Sequence, residues 1–230
     1  MSRSGSLDLI NEVEENLLIM KENQEIKPVK VKSMLEHLRS ALEYCANDTF
    51  DKHQGQNISQ RPDIYFPYGE QKFIDNFFTK KLRISTPHSS PLYNVFNSIQ
   101  DRNSNSSWLG MMCNLTNEVK HRNPIPLKED NVVTGMEVSA LGFNLLKVDA
   151  NSTVSFKNTI IGGQKITDFT ITKGNLESAN NGAPININIT QEKKIRFHGI
   201  EYEVIPFIQL CTDEIKNFIN AAYDILDDMN

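Results

Sequence analysis

Apolar residues recur every three or four positions through two stretches at the start of the chain, and that spacing predicts two amphipathic helices. In the first, Leu7, Ile10, Val13, Leu17 and Met20 share one face over about Ser6–Asn23, with Ser6 placed as a cap. Pro28 breaks the path. A second run, Val31, Met34, Leu35, Leu38, Leu42 and Cys45, carries a helix to about Asp51, antiparallel to the first. From His53 to Gln71 the sequence mixes Gly, Pro and polar residues without a period, which predicts a long loop of the functional or mobile kind. Helical spacing returns over Gly69–Leu82 around Phe73, Phe77 and Phe78, over Pro91–Gln100 with Pro in the first turn, and over Trp108–Arg122. The first half reads as a bundle of about five helices.

After Pro126 the period changes. Short β-branched runs at Val132–Leu141, Phe143–Val148, Thr153–Phe156, Ile166–Ile171, Ile185–Ile189 and Lys194–Pro206 are separated by Gly, Asn and Asp, and they predict strands, with His198-Gly199 as a hairpin turn. Ile215, Phe218, Ile219, Ala222 and Ile225 then mark a last amphipathic helix over Thr212–Asp227, capped by Thr212 or Asp213. The expected fold class is α+β: an N-terminal antiparallel helical bundle over residues 1–126, then a small β-rich subdomain over 127–230 whose C-terminal helix packs on the bundle.

Composition narrows the function. The chain carries 24 Lys and Arg against 29 Asp and Glu, a net charge of −5, which argues against coating DNA in bulk while leaving room for a local basic patch. No run is long and apolar enough to span a bilayer, and the opening residues lack the apolar core of a secretory signal, so no membrane partner and a cytoplasmic location are expected. Cys45, Cys113 and Cys211 are scattered among apolar neighbours and read as buried thiols. The five histidines show no ligand spacing with them. Neither a metal nor a cofactor is expected.

The chemistry concentrates on the Trp108–Arg122 helix. Trp108, Met112, Leu115 and Val119 share its core face, while Asn114, Asn117 and His121 form another stripe, with Glu118 beside them and Lys120 and Arg122 nearby. A histidine exchanges a proton near neutral pH, amides orient a phosphate or base, and cations stabilise developing negative charge, so the stripe suits a phosphodiester ligand. The same residues also serve as capping and interhelical hydrogen bonders. Arg39, at the edge of the second helix's apolar stripe, reads as a salt-bridge partner of Glu36, Glu43 or Glu118, or as the cation beside His121. His37 and Tyr44 fall on another face of that helix and read as rim. Lys80, Lys81 and Arg83 make the clearest cationic cluster, either a solvated helix end or a phosphate-facing edge. Tyr65, Phe66 and Tyr68 in the neighbouring loop either stack bases or pack on the helices.

The order Leu38-Arg39-Ser40-Ala41-Leu42-Glu43-Tyr44, Phe66-Pro67, Ser98-Ile99-Gln100, Trp108-Leu109 and Leu115-Thr116-Asn117-Glu118-Val119-Lys120-His121-Arg122 resembles a widespread group of uncharacterised bacterial proteins. The closing Val204-Ile205-Pro206-Phe207-Ile208 resembles that group's end, so the likeness runs from about Pro28 onward. The helical half of the group is similar to the HEPN superfamily, whose active ribonucleases carry an Arg, often followed by Asn, with a His a turn or more further on. Asn117 and His121 match that Asn and His, whereas the Arg position falls on Thr116. The resemblance therefore implies a non-catalytic module that binds RNA, a nucleotide or a protein partner. Its alternatives are a metal-independent endoribonuclease of toxin or defence type, using His121 with Arg39 or Arg122 as the substitute cation, and a purely structural interaction protein. It also implies a homodimer.

Overall fold

The structure is a computed structural model that describes residues 3–23, 25–55, 61–103, 106–119 and 125–229, and the protein mixes helix and sheet. It divides into two compact units, Met1–Leu127 together with Arg196–Asn230, and Lys128–Ile195. The last helix, grouped with the strands in the division expected from sequence, thus belongs to the helical unit.

In the helical unit, α1 (Arg3–Asn23) and α2 (Pro28–Gln54) are joined by a short link, and Pro28 opens α2, where its missing N–H is harmless. They run antiparallel: Ser6 Oγ donates to Ala41 O at 3.4 Å, and Lys30 Nζ donates to Asn16 Oδ1 at 3.4 Å. Ile10, Val13, Leu17 and Met20 on α1 face Val31, Met34, Leu35, Leu38 and Leu42 on α2, all buried. Helix α2 runs three residues past Asp51 and ends at Gly55, whose φ of +83° an L side chain rarely adopts.

The region expected as one helix over Gly69–Leu82 is two pieces, a short α3 (Gln71–Asn76) and a π-helical turn over Phe77–Lys81. The turn is closed by Leu82 N donating to Phe77 O at 3.0 Å, one residue further back than an α-helical bond. This slip brings both Phe77 and Phe78 into the core, where consecutive residues on an α-helix diverge by about 100°. Helices α4 (Pro91–Ser98) and α5 (Trp108–Val119) follow.

The last helix, α6, spans Val204–Asp228, so the strand expected over Lys194–Pro206 is corrected. Strand character ends at Phe197, and Pro206 lies in the first helical turn, where no N–H is needed. Val204, Phe207, Ile208, Cys211 and Ile215 are fully buried at helical spacing, and that burial outweighs the β preference of Val204 and Ile205. Thr212, expected as a cap, lies mid-helix and donates to Ile208 O at 2.7 Å. Lys21 meets Gln209, Glu14 meets Lys216 and Arg3 meets Asp224, so α6 lies antiparallel along α1.

Phe96 on α4 is the hub of the aromatic core. Its ring lies 5.5 Å from Phe66, 5.5 Å from Phe77, 5.4 Å from Phe78 and 5.1 Å from Phe218. Each buried ring contributes on the order of 1.5–3 kcal/mol from area alone.

The other unit is all strand and turn. It holds β1 (Leu127–Ala140), β2 (Phe143–Asp149), β3 (Thr153–Phe156), β4 (Ile160–Ile161), β5 (Gln164–Lys165), β6 (Phe169–Thr172), β7 (Asn175–Ser178) and β8 (Asn186–Phe197). They form sheets in the orders β2-β1-β8, β3-β6-β7 and β4-β5. Met136, Val138 and Ala140 alternate inward from β1 and meet Ile166, Phe169 and Ile171 in one buried cluster. Gly182 fits here because of close backbone approach: a Cβ would lie 2.4 Å from the carbonyl carbon of Ile166.

Candidate functional site

Arg39 reaches from α2 to α5. Its Nη1 donates to Cys113 O, Thr116 Oγ1 and Asn117 Oδ1, each at 2.9 Å, and its Nε lies 3.6 Å from Glu43 Oε1. The guanidinium carbon also sits 5.7 Å from the centre of the Tyr68 ring, whose hydroxyl accepts from Asn117 Nδ2 at 3.3 Å. Thr116 is buried and donates its own proton to Cys113 O at 2.8 Å, which leaves its oxygen to accept from Arg39. Nη1 has two hydrogens for three acceptors, so at least one bond is shared, and a second nitrogen, Nε, faces Glu43; the guanidinium spans α5 and Glu43 from separate atoms, as a single lysine ammonium would not. The helix α5 that supplies them is anchored at its start, where Asp101 accepts from Leu109 N at 2.9 Å and Gly110 N at 2.8 Å.

Between α2 and α3, residues 64–69 are pinned along their backbone. Asn47 Nδ2 donates to Ile64 O at 3.4 Å, and Glu43 Oε2 accepts from Phe66 N at 2.6 Å. Gln100, wholly buried, donates to Pro67 O at 3.1 Å and accepts from Gly69 N at 3.1 Å, and Arg102 donates to Gly69 O at 2.8 Å. An extended chain sends alternate side chains to opposite faces, so Ile64 and Phe66 are buried while Tyr65 is 68% exposed. Phe66 therefore packs on the helices as part of the aromatic core, the second of the two readings expected for it, while Tyr65 does not.

A cavity lies on each flank of this segment, and Ile64 and Tyr65 line both. The smaller, about 460 Å³, is lined also by Glu36, His37, Arg39, Ser40, Glu43 and Thr116. The larger, about 860 Å³, is lined also by Phe66, Tyr68, Phe73, Phe77, Lys80 and Lys81.

The residues singled out from sequence distribute unevenly. Arg39 and Asn117 come together, and Lys80 and Lys81 share the larger cavity. Asn114 is exposed and lines a different cavity, of about 360 Å³, with Asp101, Met111 and Ile200. Arg83 is exposed, with a left-handed φ of +57° just past the π turn, and lines neither cavity. Lys120, His121 and Arg122 lie outside the described residues, as does the side chain of Glu118. Among the expected partners of Arg39, the structure supplies Glu43. Glu36 approaches Lys32 at 3.7 Å.

Two residues stand closer to the site than the sequence reading placed them. His37, expected at the rim, lines the smaller cavity with Arg39, and its Nδ1 is buried with no hydrogen-bond partner among the described residues. Glu43 binds both Arg39 and the Phe66 amide. The spacing Glu36, Arg39, Ser40, Glu43 on one helix face was the available signal.

Cys45, Cys113 and Cys211 are buried and unpaired. Burial pushes the Cys113 thiol up to about 12, against the smaller opposing pull of Arg39, and raises the other two as well, so all three stay protonated at neutral pH. Among the described residues no His, Cys, Asp and Glu cluster is placed to hold a metal, and no helix is long and apolar enough to cross a membrane. Compared with protein families, curated proteins and solved structures, the chain has no match.

Proposed function

We propose that this chain is a HEPN-like module that binds single-stranded RNA without cutting it, as a homodimer. The observation that supports this is the state of Arg39. Its guanidinium stands at the wall of the smaller cavity, three acceptors on α5 hold Nη1, and Glu43 lies 3.6 Å from Nε. A cation so held attracts a phosphate, while the adjacent carboxylate offsets the charge that a cleavage transition state would need. The exposed Tyr65 at the shared wall offers a stacking face next to it, and sequence-tolerant stacking plus a cationic track is how single strands are held. The test is fluorescence anisotropy of a labelled single-stranded RNA at low and moderate salt. Binding that weakens with salt and is lost in Arg39→Met under conditions where that variant keeps the native circular-dichroism spectrum supports the reading, whereas equal affinity in Arg39→Met sinks it. Sedimentation of the same sample reports the dimer.

A second reading, the metal-independent endoribonuclease, is favoured by one contact. Arg39 bonds to Thr116, the position where the HEPN motif carries its own arginine, so a cation stands at that turn of α5 after all. Incubation with mixed RNA in EDTA separates the two. Cleavage by the native chain that His121→Ala abolishes makes the protein a ribonuclease; intact RNA with retained binding leaves it a binder.

A further inference from the structure

We propose that the larger cavity receives one nucleotide of the bound strand, its base against the aromatic walls and its phosphate at Lys80 and Lys81; the choice of occupant rests on the RNA reading above. The volume, about 860 Å³, falls within the range of small-ligand sites, roughly 300–1,000 Å³. Its floor is apolar: Phe66 and Phe77 are buried and locked against Phe96. Two rings at its edge are exposed, Tyr65 at 68% and Phe73 at 46%, the latter with the Lys72 ammonium 5.2 Å from its ring centre on one face. Inorganic phosphate alone would leave this apolar surface unused, and an aliphatic ligand would leave the cations unused. A flat aromatic group carrying an anion uses both.

The π turn is what gathers the cations. Two consecutive residues of an α-helix point about 100° apart, yet Lys80 and Lys81 line the same cavity, at the turn where the Leu82 N to Phe77 O bond spans one residue more. The acidic neighbours do not cancel them. Glu70 is engaged by Lys72 at 2.7 Å, and Lys81 Nζ meets Asp63 through its backbone carbonyl, at 3.3 Å, leaving donors for a phosphate. Among the described residues neither ammonium pairs with a carboxylate. Tyr65 connects the two flanks, so a strand held at Arg39 passes over its ring before the base turns inward.

The test is calorimetric titration of the full chain with AMP, adenosine and inorganic phosphate, beside anisotropy with a single-stranded RNA. AMP is expected to bind at least tenfold more tightly than adenosine or phosphate. Phe73→Ala and the double variant Lys80→Ala/Lys81→Ala should each weaken AMP at least fivefold with little change in melting, because Phe73 and Lys80 are exposed and half-buried Lys81 makes one long bond, to Asp63 O at 3.3 Å; Phe73→Leu, which keeps apolar volume and removes the ring, should match Phe73→Ala. No AMP binding, or AMP binding that neither variant changes, overturns the assignment. RNA binding that persists in that case leaves the RNA reading intact, whereas variant-sensitive AMP binding without RNA binding sinks the RNA reading and keeps the nucleotide site.

Discussion

The two flanks of the Ile64–Gly69 segment are built on opposite plans. On one, Arg39 lies among Cys113 O, Thr116, Asn117 and Glu43 and is itself part of the scaffold. On the other, Phe66 and Phe77 make a rigid apolar floor, and Lys80 and Lys81 stand at its edge as adjustable charges. The difference teaches that a cation's position on a surface says little about its availability. The guanidinium is committed before any ligand arrives, so removing it injures the fold and the site together, while the lysines can be removed from the site alone.

That contrast can be broken in order of size. Phe96→Ala removes the ring that supports both Phe66 and Phe77, and it should cost about 3–5 kcal/mol in urea unfolding and abolish ligand binding on the apolar flank. A loss under about 1 kcal/mol would mean the floor does not depend on that hub. Arg39→Lys is next, expected to cost about 2–3 kcal/mol, since a point charge cannot satisfy acceptors on α5 and Glu43 at once and leaves buried Thr116 under-bonded. Stability equal to the native chain would show that the fork geometry is dispensable.

A smaller effect should come from Tyr93→Phe. Tyr93 donates to Asp75 at 2.6 Å and links α4 to α3, just before the π turn. Its loss should cost about 1 kcal/mol at neutral pH. Burial, then the Asp75 bond, raises the Tyr93 hydroxyl from 10.0 to about 12, so its contribution is complete below pH 10 and disappears as pH rises through about 12. Asp75 has the opposite sign. The Tyr93 and Gln71 bonds lower it below its ordinary 3.8, so its contribution is present above that value and is lost as pH falls through the lowered one. Thermal melts across pH should show both losses in the native chain and a blunted alkaline one in Tyr93→Phe. The smallest change is expected for Lys80→Ala/Lys81→Ala, within about 0.5 kcal/mol of native stability; a larger drop would place these lysines in the scaffold beside Arg39.

Much of the helical architecture was legible because burial follows a local period. Ile10, Val13 and Leu17, or Leu35, Leu38 and Leu42, announce a helix face within a few residues. The start of α6 was not, because Val204-Ile205 after an alternating run carries strand preference, and only packing of Phe207, Ile208 and Cys211 against other helices reverses it. The π turn has no sequence period of its own. At the site, the alternation Ile64-Tyr65-Phe66 could have separated core from surface, but the loop's Gly and Pro content concealed an extended path fixed by side chains from elsewhere. The Arg39–Thr116 contact joins residues 77 positions apart and has no local signature at all.

Pro126 O accepts from His198 N at 2.9 Å, so the chain leaves the helical unit and re-enters it at a single point. The strand-rich unit is therefore inserted in the helical one with its two ends adjacent. A short Gly-Ser joint from Pro126 to His198 is therefore long enough to close the helical unit without it, and since each doubling of a flexible joint costs only about 0.6 kcal/mol of closure entropy, its length is a free choice within a few residues.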